Sequence, residues 1–225
     1  ETDIAPVNLP LDIAYEDDDI IVINKPFDMP AHPSAGNHDN TLANALMYYY
    51  GSQNKPFVYR CINRLDRDTT GLTIVAKHAL AGGILGNAVA KRAIHRTYYA
   101  VCSGCTPICM RISAPIARKD ASTIERCVDF KHGEYAVTDF IRIKYNPDNN
   151  LSLVKLRLLT GRTHQIRVHM KYIGFPLIGD FLYNPDYTYI SRQALHSGRL
   201  VFTHPVTGQK MNLISDIPSD MKSLF

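Results

Sequence analysis

The strongest constraint on how this chain folds lies in residues 69–76. Leu72-Thr73-Ile74-Val75-Ala76 is an unbroken run of apolar and β-branched residues, entered through the turn-forming triplet Thr69-Thr70-Gly71. Such a run reads as a buried strand. Immediately ahead of it come the carboxylates of Asp66 and Asp68 and the guanidinium groups of Arg60, Arg64 and Arg67. Asp66 therefore sits in a loop leading into the core, where a rigid scaffold can hold a reactive side chain. The plainer alternative is a solvated ion-pair cluster, since exposed pairs commonly contribute little. Asp68 suits that alternative, as the partner of a local arginine.

A chain of 225 residues, 45% of them hydrophobic, can bury a substantial core, and we read it as one domain over residues 1–225. The formal net charge of +4 is a mild basic excess. It permits an anionic partner without demanding one, and the clustering of arginines, more than the total, points toward phosphate. No apolar run approaches the length of a membrane span, and Glu1-Thr2-Asp3 does not open like a signal peptide, so a cytoplasmic chain is expected. Five cysteines do not make a disulfide framework. Cys102, Cys105 and Cys109 raise the question of zinc, but a structural site wants four ligands. Buried or free thiols are the better reading, and no metal is expected.

In chain order, residues 11–16 and 20–26 read as two short strands joined by the acidic turn Asp17-Asp18-Asp19. Pro26, Pro30 and Pro33 break the next stretch into a loop. Thr41 is placed to cap a helix whose apolar stripe includes Leu42, Ala45, Leu46 and Tyr49 and which stops at Gly51. Residues 79–93 read as a helix despite Gly82, Gly83 and Gly86. Residues 96–104 form an aromatic-rich strand in which Tyr98 and Tyr99 must face opposite ways. Residues 137–143 and 151–159 suggest a hairpin across the turn at 146–150. Thr163 can cap a helix ending at Gly174, with Ile166, Met170 and Ile173 buried and His164, Arg167 and Lys171 on one basic flank.

The run Asn63-Arg64-Leu65-Asp66-Arg67-Asp68-Thr69-Thr70-Gly71-Leu72 resembles the His-Arg-Leu-Asp-x-x-Thr-Ser-Gly-Leu signature of the RluA-type RNA pseudouridine synthases. Two positions depart from it. Thr70 replaces Ser and keeps the hydroxyl; Asn63 replaces His and bears on how the loop is held or how RNA meets it. Further resemblances are Asn24-Lys25-Pro26 and His32-Pro33-Ser34, then residues 96–104, which match Lys-x-Tyr-x-Ala-x-Val-x-Gly with Arg96 for Lys and Cys102 for Val. Gly161-Arg162-Thr163-His164-Gln165-Ile166-Arg167-Val168-His169 matches Gly-Arg-x-His-Gln-Ile-Arg-x-His, and Ile178-Gly179-Asp180, Ala194-Leu195-His196 and Phe202-Thr203-His204-Pro205 look like later landmarks.

The resemblance implies an α+β pseudouridine synthase fold, with a mixed, mostly antiparallel central sheet, flanking helices and a cleft across the sheet. It implies a chain that isomerises uridines in ribosomal or transfer RNA, with no S4-type RNA-binding domain inside residues 1–225. Asp66 would act at the ribose, as nucleophile or as base. Tyr98 would lie against the uracil, and Arg167 would provide the counter-ion for Asp66. Arg64 would fill the gap left by the extruded uridine. Lys25, His32, Arg60, Arg96, Arg162 and His164 would line the RNA path. The chemistry is redox-neutral and calls for no cofactor, and a monomer is expected. The chief rival is a catalytically inactive RNA-binding relative, suggested only by Asn63; an RNA nuclease using His and Asp has no motif behind it.

Overall fold

The structure is a computed structural model and describes residues 4–34, 36–119 and 124–225. The chain divides into two compact units, Glu1–Ile94 with Arg199–Ser215 and His95–Gly198 with Asp216–Phe225. Both combine antiparallel strands with few helices, the α+β character expected.

In the first unit β1 (Ile13–Glu16) pairs with β2 (Ile20–Lys25), and β2 pairs with β3 (Thr70–Ala76), each antiparallel. The acidic turn between β1 and β2 closes through Asp17, whose Oδ1 accepts the backbone N–H groups of Asp19 and Ile20, both at 2.9 Å. Every residue of β3 is buried, as its composition demands. One of its faces packs on Ile20, Val22, Leu85, Leu200 and Phe202. Helix α1 (Leu42–Gly51) begins at a capping box in which the Thr41 hydroxyl accepts from Asn44 N–H. The hydroxyls of Tyr49 and Tyr50 donate to Glu16, which ties the end of this helix to β1. Helix α2 (Ala79–Ala90) is capped by His78, and an added Cβ at Gly82 would lie 3.1 Å from the Arg60 side chain, so a small residue is wanted there.

In the second unit β4 (His95–Ser103), β5 (Cys109–Ser113), β8 (Val137–Asn146) and β9 (Leu151–Leu158) form one antiparallel path in the order β4-β9-β8-β5. A smaller ribbon joins β6 (Ile116–Arg118) to β7 (Arg126–Val128). Helix α3 (Gln165–Tyr172) packs against β7 and β8. The predicted hairpin is β8–β9, with a register shift near Arg142. Strand β10 (Leu195–Thr203) starts in the second unit and ends in the first, where Arg199–Thr203 pairs with β11 (Lys210–Ile214). The chain closes with α4 (Ser219–Lys222). All five cysteines are free; Cys102 is buried, Cys105 and Cys109 exposed. Among the described residues no helix is long and apolar enough to cross a membrane.

Candidate active site

The loop carrying Asp66 is fixed at both ends. Its approach runs beside β3, with Ile62 N–H donating to Ile74 O at 2.9 Å and Ala76 N–H to Arg60 O at 2.9 Å. Its exit is a turn in which Thr69 N–H donates to Asp66 O at 3.1 Å, after which Gly71, at φ +108°, carries the chain into β3. Between these points Leu65 is buried, Arg64 is exposed and Asp66 is half-buried. Asp68 is buried and accepts from Nε and Nη2 of Arg67, which makes it the local arginine's partner.

Lys25 departs from expectation. It is 1% exposed, and its ammonium donates to Pro26 O at 2.7 Å and Arg67 O at 2.8 Å. A lysine so placed braces the Asp66 loop from beneath and is not a surface contact for phosphate. The strand-end position and the Asn-Lys-Pro motif gave no hint that two backbone carbonyls wait there. His32 lies edge-on to the Tyr59 ring at 4.8 Å, and burial together with the nearby Arg64 lowers its pKa. At neutral pH it is therefore an uncharged ring beside a cation. Arg60 folds back to donate to Val58 O.

In the second unit Tyr98 is buried and Tyr99, on the other face of β4, is half-buried among Val101, Ile178 and Met221, as strand alternation requires. Tyr98 stands opposite Leu156 and Tyr99 opposite Lys155. Arg96 approaches Gly161, where a Cβ would come within 3.3 Å of its guanidinium. Arg162 is exposed and pairs with Glu134.

Helix α3 does not start from Thr163. His164 occupies the N-cap in the left-handed region, at φ +56°, without a side-chain cap. Its Nδ1 instead meets the Tyr183 hydroxyl at 2.9 Å, and that hydroxyl accepts Arg126 N–H. Burial pushes the Tyr183 hydroxyl up to about 12, so it keeps its proton for His164. Gln165 bolts the helix down: Oε1 accepts from the Thr160 hydroxyl and Arg162 N–H, and Nε2 donates to Val137 O and the Thr138 hydroxyl.

Arg167 is the second departure. Helix spacing put it on a basic flank with His164 and Lys171, but it is 2% exposed. Its Nε and Nη2 donate to Oδ2 and Oδ1 of Asp180 at 2.7 and 2.8 Å, and its guanidinium lies 5.0 Å from the Tyr183 ring centroid. Asp180 is wholly buried and also accepts the N–H groups of Leu182 and Tyr183. Preceding it, Gly179 has φ +66° and no room for a Cβ, which would fall 2.1 Å from Arg192 O. Sequence reasoning saw Asp180 only as a landmark. The usable signal was that a guanidinium on an otherwise apolar helix face needs a buried acceptor.

His169 fixes the far end of this helix. Its Nε2 must carry a proton for Ala114 O, at 2.8 Å, so its Nδ1 accepts from the Thr138 hydroxyl at 2.9 Å. Burial lowers its pKa against the weaker opposing effect of Ala114 O. The sign follows: the unfolded chain takes up a proton near pH 6.5 that the folded ring resists, so the stability His169 contributes is intact above that pH. It is lost as pH falls from there toward the depressed folded value. We expect the stability advantage of the wild type over His169→Gln, measured by urea denaturation, to shrink with acidification by at most about 1.4 kcal/mol per pH unit. A constant difference between the two would show that His169 does not titrate in this range.

Among the described residues, Asp17, Asp19 and His204 come close enough together to suggest a metal. Their hydrogen bonds say otherwise. His204 Nδ1 accepts from Val206 and Thr207 N–H, so Nε2 holds the proton and donates it to Asp17 Oδ2 at 2.8 Å. The same oxygen accepts from the Tyr15 hydroxyl and Oδ1 is used by the turn. A cation would have to displace a proton from a ring whose other nitrogen is already committed as an acceptor. The group is a latch between the β1–β2 turn and the end of β10.

The first unit supplies a braced aspartate loop beside an exposed arginine, and the second a buried tyrosine and a buried arginine, the groups that the family signature calls for. The chain belongs to the RluA-type family of RNA pseudouridine synthases, and residues 19–172 match the RNA pseudouridylate synthase family. It is 38% identical to the ribosomal large subunit pseudouridine synthase D of Zymomonas mobilis, over 98% of this chain and 73% of that one. With the enzyme of the same name from Haemophilus influenzae the identity is 42%, over 100% of this chain and 73% of the relative. Among solved structures, human RNA pseudouridylate synthase domain containing 1 superposes with a TM-score of 0.76 at 26% identity, covering 92% of this chain and 83% of that one. The chain is thus an RNA pseudouridine isomerase, and nothing favours the inactive alternative.

Proposed function

We propose that this chain converts specific uridines of large-subunit ribosomal RNA to pseudouridine, acting as a monomer in the cytoplasm, with residues 1–225 serving as one catalytic domain. The observation that carries the site assignment is the Asp66 loop: a half-buried carboxylate whose backbone is held by Lys25, Asn63 and the Thr69 turn, next to the exposed Arg64. The ribosomal substrate is supported by the names of the relatives about 40% identical.

The reaction breaks the bond between ribose C1′ and uracil N1, turns the base and joins C1′ to C5. The C5 proton leaves and N1 gains one, so atoms and electrons balance within the nucleotide. A glycosidase needs a second carboxylate to protonate a departing alcohol; a base that stays and reattaches does not. Asp66 acts at the ribose, by attack on C1′ or by removing the 2′ proton, and either role needs it ionised. Arg167, carrying Asp180 on one edge of its guanidinium, takes the role of counter-ion to Asp66. Tyr98 packs against the extruded base and Arg64 takes its place in the RNA. Extrusion costs a few kcal/mol and least in a loop, which favours a loop uridine. His32, Arg60, Arg96, Arg162 and His164 are the proposed RNA contacts, and binding through them weakens as salt rises.

The test is incubation of the chain with a large-subunit ribosomal RNA transcript, followed by mapping of pseudouridines. New pseudouridine at discrete loop positions is expected, with the RNA uncut. Modification of transfer RNA alone would overturn the ribosomal assignment, and cleavage without pseudouridine would overturn the reaction.

A further inference from the structure

The replacement of the signature His by Asn63 finds a physical role in the loop. Asn63 is 3% exposed and lies where the segment running beside β3 turns away from it. Ile62 still pairs by its backbone, donating to Ile74 O. At the next position the side chain takes over: Asn63 Oδ1 accepts Ile74 N–H at 2.8 Å and Nδ2 donates to Leu72 O at 3.1 Å. The Thr73 hydroxyl donates to Asn63 O at 2.6 Å, so the departing backbone is held as well. A carboxamide offers N–H donors and one carbonyl, and so can present the pair that a further strand residue would present. Leu72 and Ile74 lie in a strand buried throughout, where an unpaired N–H or C=O costs about 1–3 kcal/mol. The Asn63 amide satisfies both and releases its own backbone to turn away. Arg64 then reaches solvent, Leu65 enters the core, and Asp66 accepts Thr69 N–H to close the turn.

We infer that the Asn63 side chain is a positioning residue for Asp66, completing the β3 ladder so that the loop can leave the strand at a fixed point. The inference rests on the assignment of Asp66 proposed above. Three residue steps lead from the anchor to Asp66, each spanning at most about 3.6 Å, so freeing residue 63 frees one end of the turn. A neutral imidazole also has one donor and one acceptor nitrogen. The signature's His and this chain's Asn are therefore two ways of making the same connection.

The experiment compares wild type with Asn63→Ala, Asn63→His and Asn63→Asp on a ribosomal RNA transcript, well below the unfolding midpoint of each. For Asn63→Ala we expect kcat to fall roughly 10- to 100-fold with little change in KM, because misplacement of about an ångström is enough to cost this much. Asn63→His should stay within a few-fold of wild type. In Asn63→Asp the new carboxylate faces Leu72 O with no donor until it is protonated, so its rate relative to wild type should rise as pH is lowered. A normal kcat in Asn63→Ala, a loss confined to KM, or a pH-independent ratio for Asn63→Asp overturns the inference. Should the alanine variant not fold, the Asp and His variants, which alter chiefly the donor, decide alone. A wild type that makes no pseudouridine sinks the assignment of Asp66 instead. The anchor is then read from amide exchange at Thr69, which must quicken in Asn63→Ala or Asn63→Asp if the anchor is real.

Discussion

Asp66→Asn eliminates measurable pseudouridine formation, lowering turnover by roughly 10^3-fold or more, while RNA affinity changes little. The substitution keeps the size of the side chain and leaves untouched the backbone contacts that hold the loop, namely Asp66 O to Thr69 N–H and Arg67 O to the Lys25 ammonium. What it removes is a charge that can attack C1′ or take the 2′ proton, and an amide does neither. Folding should survive, since the loop is braced by Lys25, Asn63 and Asp68 and not by the Asp66 carboxylate alone. The measurement is single-turnover modification of a ribosomal RNA transcript alongside filter binding of the same RNA. Turnover within tenfold of wild type would move the chemistry to another group. An equal loss of binding would make Asp66 an RNA contact and nothing more.

The parts of this molecule legible in the sequence are those where one kind of side chain dominates. Strand β3 is buried along its length because nothing in Leu72–Ala76 except Thr73 resists burial, and Thr73 spends its hydroxyl on Asn63 O. The Thr41 cap was visible because a hydroxyl before an apolar stripe has few other uses. From Arg111 the signals weaken, since β5, β6 and β7 are three to five residues long and mostly exposed or half-buried, so no alternation builds up. The misread positions are polar groups whose partners lie far along the chain. Lys25 looked like a surface cation because Arg67 O is 42 residues away, and the partner of Arg167 went unread because Asp180 is on a separate loop. Thr163 looked like a cap because the local pattern fits one, but the left-handed turn at His164 starts the helix one residue later. Periodicity counts a charge as solvated, and only the folded chain shows which charges have acceptors inside.

The pair formed by Arg167 and Asp180 is where that difference has its largest consequence for stability. Asp180→Ala removes four acceptor contacts at once and leaves a guanidinium that is 2% exposed without this carboxylate. Breaking one side of a buried pair typically costs about 3–5 kcal/mol, which for a chain of this length lowers Tm by roughly 6–20 °C. Arg167→Met is destabilising for the mirror reason, since a carboxylate with no exposure keeps only the N–H groups of Leu182 and Tyr183. The double variant Arg167→Met with Asp180→Leu tells packing from chemistry. With both charges gone no ion is stranded, so the two single losses should not add, and Tm should recover part of the way toward wild type. Turnover should not recover, because the cation proposed as the counter-ion of Asp66 is still missing. Recovery of both together would mean that Arg167 serves only the fold, and that the charge opposite Asp66 has to come from another residue.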